Sequence, residues 1–101
     1  MTIEYYWRPG CPFCMSLTPR VRALAEQAGV SIVEHNIWED QDAAARVRSA
    51  ANGNETVPTV FIGEKSLVNP KIGAVKALLA ESDPSLDLPA DRSLWQRLRG
   101  R

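Results

Sequence analysis

The chain has 101 residues, 45% of them apolar, which suits one domain with a modest core and argues against wholesale disorder. Its 12 basic residues balance its 12 acidic ones, so no broad electrostatic field is available for wrapping nucleic acid. It has two cysteines, which excludes a small secreted scaffold stapled by several disulfides.

The chain starts Met1-Thr2-Ile3-Glu4, without the basic segment, apolar run or cleavage site of a signal peptide. No stretch approaches the roughly 18 apolar residues of a membrane span. These features predict a cytoplasmic protein that meets no membrane. Ile3 to Trp7, β-branched and aromatic, predicts a first strand closed by Arg8-Pro9-Gly10. From Pro12 onward, Leu17, Val21, Leu24, Ala25 and Ala28 recur at helical spacing, and Gly29 supplies the stop. Ser31 to Ile37 predicts a second strand, with Val33, His35 and Ile37 on one face and Ile32, Glu34 and Asn36 on the other. Asp40 or Asp42 can cap a second helix through Ala43, Val47 and Ala50, which frays at Asn52-Gly53-Asn54.

Pro58 to Ile62 predicts a third strand, Gly63-Glu64 a tight turn, and Lys65 to Val68 a short hairpin partner. Asn69 then reads as the cap of a third helix with Pro70 at its first position; Ile72, Val75, Leu78 and Leu79 form its buried stripe. Pro84 and Pro89 end regular structure. The resulting order, β-α-β-α-β-β-α, is an α/β arrangement with a parallel and an antiparallel pair in one sheet and helices over it.

The two cysteines, Cys11 and Cys14, fall where the first strand-loop meets the first helix. In the first turn of a helix the backbone N–H groups lack intrahelical partners and the dipole favours negative charge. Such placement lowers a thiol's pKa and populates the thiolate, the nucleophile of thiol chemistry. Pro12 suits the first helical position because its missing N–H would be unpaired anyway. Cys14 lies nearly one turn further on and can resolve a mixed disulfide formed at Cys11. Half of a zinc site would need two more ligands, and the chain has a single histidine, His35. An inert buried pair would not explain the Gly10 and Pro12 flanks or the helix-start position. A redox-active pair is the reading that uses all of these features, with no metal.

Four features together give a resemblance. Tyr6 stands five residues before Cys11, and Cys11-Pro12-Phe13-Cys14 is close to Cys-Pro-Tyr-Cys. Thr56-Val57-Pro58-Thr59-Val60 resembles a Thr-Val-Pro strand start, and Asn52-Gly53-Asn54 and Leu67-Val68-Asn69-Pro70 flank it. In these features the chain resembles a glutaredoxin, and more narrowly the mycoredoxin branch of actinobacteria, over residues 3 to 81. The resemblance implies a thioredoxin fold, a four-stranded mixed sheet flanked by helices, in residues 1–81, with residues 82–101 as a tail. It implies a thiol–disulfide oxidoreductase with Cys11 as nucleophile and Cys14 as resolving cysteine. Its partners would be thiolated or disulfide-bonded proteins and a small thiol as co-substrate, with no tightly bound cofactor and a monomeric state.

By the same resemblance Pro58 is a cis-proline facing the cysteines, leaving the Val57 backbone free to pair with a thiol substrate. Glutathione-binding members usually have Gly-Gly where this chain has Asn69-Pro70. Pro70 removes an N–H donor, so mycothiol is expected in preference to glutathione. Arg8 is a candidate for supplying positive charge, and Phe13, Thr56 and Asn69 for contacting the thiol substrate; each also has a plain structural reading. His35 reads as a strand histidine rather than a base. The alternatives are a thioredoxin-like dithiol reductase fed by thioredoxin reductase, and an iron–sulfur cluster carrier. Pro12 and Cys14 depart from the pattern of the latter. The stretch after Glu81 turns from acidic to basic and predicts a short amphipathic helix with Leu94, Trp95 and Leu98 on one side.

Overall fold

A computed structural model describes residues 1–86 and 88 of the chain. Seven elements follow one another: β1 (Thr2–Trp7), α1 (Pro12–Ala28), β2 (Ser31–Asn36), α2 (Gln41–Ala50), β3 (Thr59–Ile62), β4 (Lys65–Val68) and α3 (Ile72–Ser82). The strands form one sheet in the order β2-β1-β3-β4. β1 runs parallel to β2 and antiparallel to β3, and β3 and β4 form the hairpin. This is the thioredoxin fold.

Period-2 alternation sorts the central strands into two layers. Ile3 and Tyr5 of β1 and Val60 and Ile62 of β3 face α1 and α3, packing with Leu17, Val21, Leu24, Val75 and Leu79. Tyr6 and Phe61 point to the opposite face and pack with Ala43, Ala44 and Val47 of α2. β3 is buried along its whole length because both of its faces are covered. β2 lies at the edge, and its Val33 is exposed. Leu86 and Leu88 pack against the first cluster.

Local chemistry sets the helix ends. Asp40 caps α2 by accepting from the Asp42 N–H at 3.0 Å and the Ala43 N–H at 3.1 Å. Gly29 ends α1 in the left-handed region at φ 70°, and its N–H donates to Glu26 O.

The start of α3 departs from the sequence expectation. Asn69 is not its cap and Pro70 is not its first residue; the cap is Lys71, two residues later. Asn69 takes a left-handed φ of 48° and its N–H donates to Pro58 O at 2.7 Å. It therefore terminates β4 against the sheet instead of opening a helix. Pro70 disfavours the right-handed helical region for the residue before it, which adds to the same outcome. Lys71 has no acceptor atom on its side chain, and α3 starts without a side-chain cap. β3 begins at Thr59 rather than Pro58, since proline has no N–H for the ladder. The amphipathic helix expected around Leu94, Trp95 and Leu98 lies outside the described residues.

Candidate functional site

The β1–α1 loop turns through Gly10, at φ 73°, and delivers Cys11 to the N-cap of α1. Cys11 has extended backbone angles, φ −89° and ψ 109°, and its Sγ accepts the Cys14 N–H at 3.1 Å. The sulfur thus occupies the place that a serine or aspartate oxygen takes at other helix starts. Pro12 follows at the first helical position, and the Cys11 carbonyl accepts the Met15 N–H at 3.0 Å. Cys11 and Cys14 are joined in a disulfide, with their Cα atoms 5.2 Å apart. Both are nearly sealed, 3% and 2% exposed, within the layer formed with Tyr6, Phe61 and Val57.

The Val57–Pro58 peptide is cis. It brings Val57 O to 3.8 Å from Cys11 Sγ. The Val57 N–H has no hydrogen-bond partner among the described residues. The loop is held from both sides: Thr59 Oγ1 donates to Thr56 O at 2.7 Å, and Asn69 N–H donates to Pro58 O. Thr56 is half-buried beside this turn.

The remaining candidates separate into two places. Phe13 is 66% exposed and lines one wall of a groove of about 550 Å³, whose opposite wall is Asn69, Pro70 and Lys71. Arg20 and Lys71 bring two cations to that groove, and no carboxylate lines it. Arg8 is placed elsewhere. Its guanidinium lies 5.5 Å from the centre of the Trp38 ring and donates to Pro9 O at 3.1 Å. Trp38, 64% exposed on the loop after β2, is a surface aromatic that no sequence pattern marked as part of the site.

His35 stacks on Tyr6 with ring centroids 4.6 Å apart. Its Nε2 is buried without a hydrogen bond, 3.5 Å from Glu4 Oε1. Arg46 of α2 reaches the other Glu4 oxygen at 3.3 Å and lies over the Phe61 ring. These contacts give His35 a place within the sheet-face packing.

Beneath Cys14 lies a second feature absent from the sequence expectation. The Tyr5 hydroxyl is 3.0 Å from Cys14 O and 2.8 Å from Thr18 Oγ1, and Thr18 Oγ1 donates to Cys14 O at 2.6 Å. Thr18 is four residues after Cys14, so helical spacing could have placed it there; the Tyr5 hydroxyl has no such signal.

Among the described residues, no three His, Cys, Asp or Glu side chains converge on a point that could hold a metal. No described helix is long and apolar enough to cross a membrane.

Comparison with known proteins gives one consistent result. The Glutaredoxin family model matches residues 3–67. A probable glutaredoxin of Synechocystis is 35% identical over 65 residues, covering 64% of this chain and 69% of the relative. A second probable glutaredoxin of that organism is 31% identical over 65 residues, and the match spans 56% of its length. Among solved structures, the thioredoxin-like protein BC3987 superposes with a TM-score of 0.59 at 26% identity, covering 76% of this chain and 97% of that one. The NrdH-redoxin of Escherichia coli superposes with a TM-score of 0.57 at 24% identity, covering 77% and 95%.

Proposed function

The chain belongs to the glutaredoxin family and is a thiol–disulfide oxidoreductase, and from that premise we propose that it reduces mixed disulfides between proteins and a low-molecular-weight thiol. Cys11 is the nucleophile and Cys14 the resolving cysteine. The observation that carries the assignment is the N-cap position of Cys11. Its sulfur receives the Cys14 N–H at the positive end of α1, where a thiolate is favoured over a thiol. Cys14 sits a turn deeper, and its sulfur has its access through Cys11.

The steps balance without an outside oxidant. The Cys11 thiolate attacks the small-thiol sulfur of the mixed disulfide; a new S–S bond forms at Cys11 and the protein thiol leaves, taking a proton. A second small thiol then attacks, releasing a small-molecule disulfide and the Cys11 thiolate. Alternatively Cys14 attacks Cys11 Sγ, releases the small thiol and leaves the Cys11–Cys14 disulfide, which two further small thiols reduce. Val57, with its N–H unpartnered and its carbonyl beside Cys11, is the backbone on which a peptide-like substrate would pair. Pro12 shapes the nucleophile's loop, Pro58 presents Val57, and Thr56 and Asn69 hold the Pro58 turn. Phe13 offers an apolar contact at the rim, and Arg8 acts through the Trp38 surface.

Mycothiol is the preferred small thiol in this reading. The N–H groups that a Gly-Gly pair would offer are absent: Asn69's is bonded to Pro58 O and Pro70 has none. One observation favours glutathione as the second reading. The first turn of α3 is uncapped and shares its groove with Arg20 and Lys71, a setting suited to a carboxylate. The reaction is assigned to a cytoplasmic monomer and to residues 1–81, so truncation after Ala90 is expected to keep the exchange activity.

One experiment tests the reading as a whole. The parent, Cys11→Ser and Cys14→Ser are assayed on a thiolated protein with mycothiol and with glutathione as reductant. Cys11→Ser loses activity, Cys14→Ser keeps de-thiolation, and mycothiol gives the faster turnover. Preference for glutathione would sink the mycothiol assignment. Equal loss in both variants would replace the route through a second small thiol with an obligatory dithiol route.

A further inference from the structure

Cys14 is held at both ends of its backbone. Its N–H donates to Cys11 Sγ, while its carbonyl lies under the hydroxyls of Tyr5 and Thr18. Three oxygens form a closed triangle with sides of 2.6, 2.8 and 3.0 Å. Two hydroxyl protons serve its three edges. Thr18 donates to Cys14 O, and Tyr5 donates either to Thr18 Oγ1 or to Cys14 O. Tyr5 is fully buried and comes from the central strand, so its hydroxyl is anchored to the sheet and not to the helix it holds. Burial pushes the Tyr5 phenol up, which keeps the donor proton in place at neutral pH.

The helix gives this triangle a task. Pro19 lies inside α1 and has no N–H, so Met15 O, one residue beyond Cys14, lacks its normal helical donor. The turn that carries Cys14 is therefore weakly tied to the rest of α1, and the sheet-anchored triangle supplies the missing constraint. Cys14 is 2% exposed and reaches Cys11 only through a fixed backbone.

We propose that Tyr5 and Thr18 are positioning residues for the resolving thiol. By fixing the Cys14 carbonyl they hold Cys14 Sγ on line with Cys11 and set how fast Cys14 closes a mixed disulfide against its clearance by a second small thiol. This rests on the exchange reading above and deepens it: the triangle decides between the monothiol and dithiol routes. Intramolecular reactions depend steeply on orientation, so a loosened carbonyl costs closure and leaves the first attack by Cys11 alone.

The test is a single-turnover measurement on the full chain. Reduced protein is mixed with a fluorescent peptide carrying glutathione, or mycothiol, on its one cysteine. Release of the peptide thiol reports attack by Cys11. Later release of the small thiol, with no other thiol present, reports closure by Cys14. Tyr5→Phe and Thr18→Val are expected to slow closure about 5- to 10-fold while attack stays within about 2-fold of the parent. Thr18→Ser, which restores a hydroxyl, brings closure back. Closure unchanged in both variants, or attack and closure slowed by the same factor, overturns the inference and leaves the exchange reading standing. A parent that never releases the peptide thiol from either substrate overturns the exchange reading itself.

Discussion

Tyr5 and Tyr6 are adjacent in sequence and point to opposite faces of the sheet, so their phenols are buried in different layers. Burial raises both pKa values above the ordinary 10.0 because it disfavours the phenolate. The Thr18 hydrogen bond pulls Tyr5 the other way, and the nearby Glu4 charge adds to the rise at Tyr6. A phenol with a raised folded-state pKa stabilises the fold in full below the unfolded value. That stability is lost as pH climbs from about 10 through the folded value, because the unfolded chain releases its proton first. Urea titrations are therefore expected to show a midpoint that falls between about pH 9 and pH 11, and Tyr6→Phe is expected to flatten the fall. An equally steep fall in Tyr6→Phe would remove Tyr6 from the account. The exposed Arg22–Glu34 pair is bidentate, at 2.8 and 2.7 Å, yet a surface pair of this kind contributes little to stability.

At the scale of elements, two helix ends carry measurable stability. α2 has 10 residues, too few to hold itself together, so its start matters. Asp40→Ala removes the acceptor for two N–H groups and is expected to cost about 0.5–2 kcal/mol in denaturant unfolding, with the exchange activity of the folded protein unchanged. Gly29 is in the left-handed region, and the space that a Cβ would occupy there is open, so the cost of Gly29→Ala is conformational: about 1 kcal/mol, read from the same titration. α1 was legible from Leu17, Val21 and Leu24 because their spacing matches the helical period. The same stripe runs across Pro19 without a break, so apolar periodicity carried no sign of the missing rung there. α3 was legible as a helix and misplaced at its start. Asn69 and Pro70 are good cap residues in isolation, but a hydrogen bond to Pro58, eleven positions earlier, settles what Asn69 does.

At the scale of the molecule, three helices clamp one sheet, α1 and α3 on one face and α2 on the other. Leu79 is fully buried between α3 and the sheet. Leu79→Ala is expected to cost about 2–5 kcal/mol in chemical denaturation, a large part of the roughly 5–15 kcal/mol that holds such a domain. A cost below about 1 kcal/mol would show that α3 repacks and fills the space. Most of the fold was readable because alternation and helical period are local patterns that burial enforces. The reactive pair was readable for a similar reason: an N-cap sulfur, a proline at the first helical position and a second sulfur one turn on are all set by neighbours in sequence. The partners of that pair were not. Val57 meets Cys11 across 46 residues, and Tyr5 meets Cys14 from a strand whose hydroxyl-bearing face is chosen by the sheet register. The chemistry itself, thiol exchange at a helix start in an α/β domain, was written in the chain's local order, because it depends on short-range geometry. Which carbonyl faces the nucleophile, which hydroxyls hold the resolver and where α3 begins were settled in three dimensions, because each is a contact between segments that approach only when the whole core has packed.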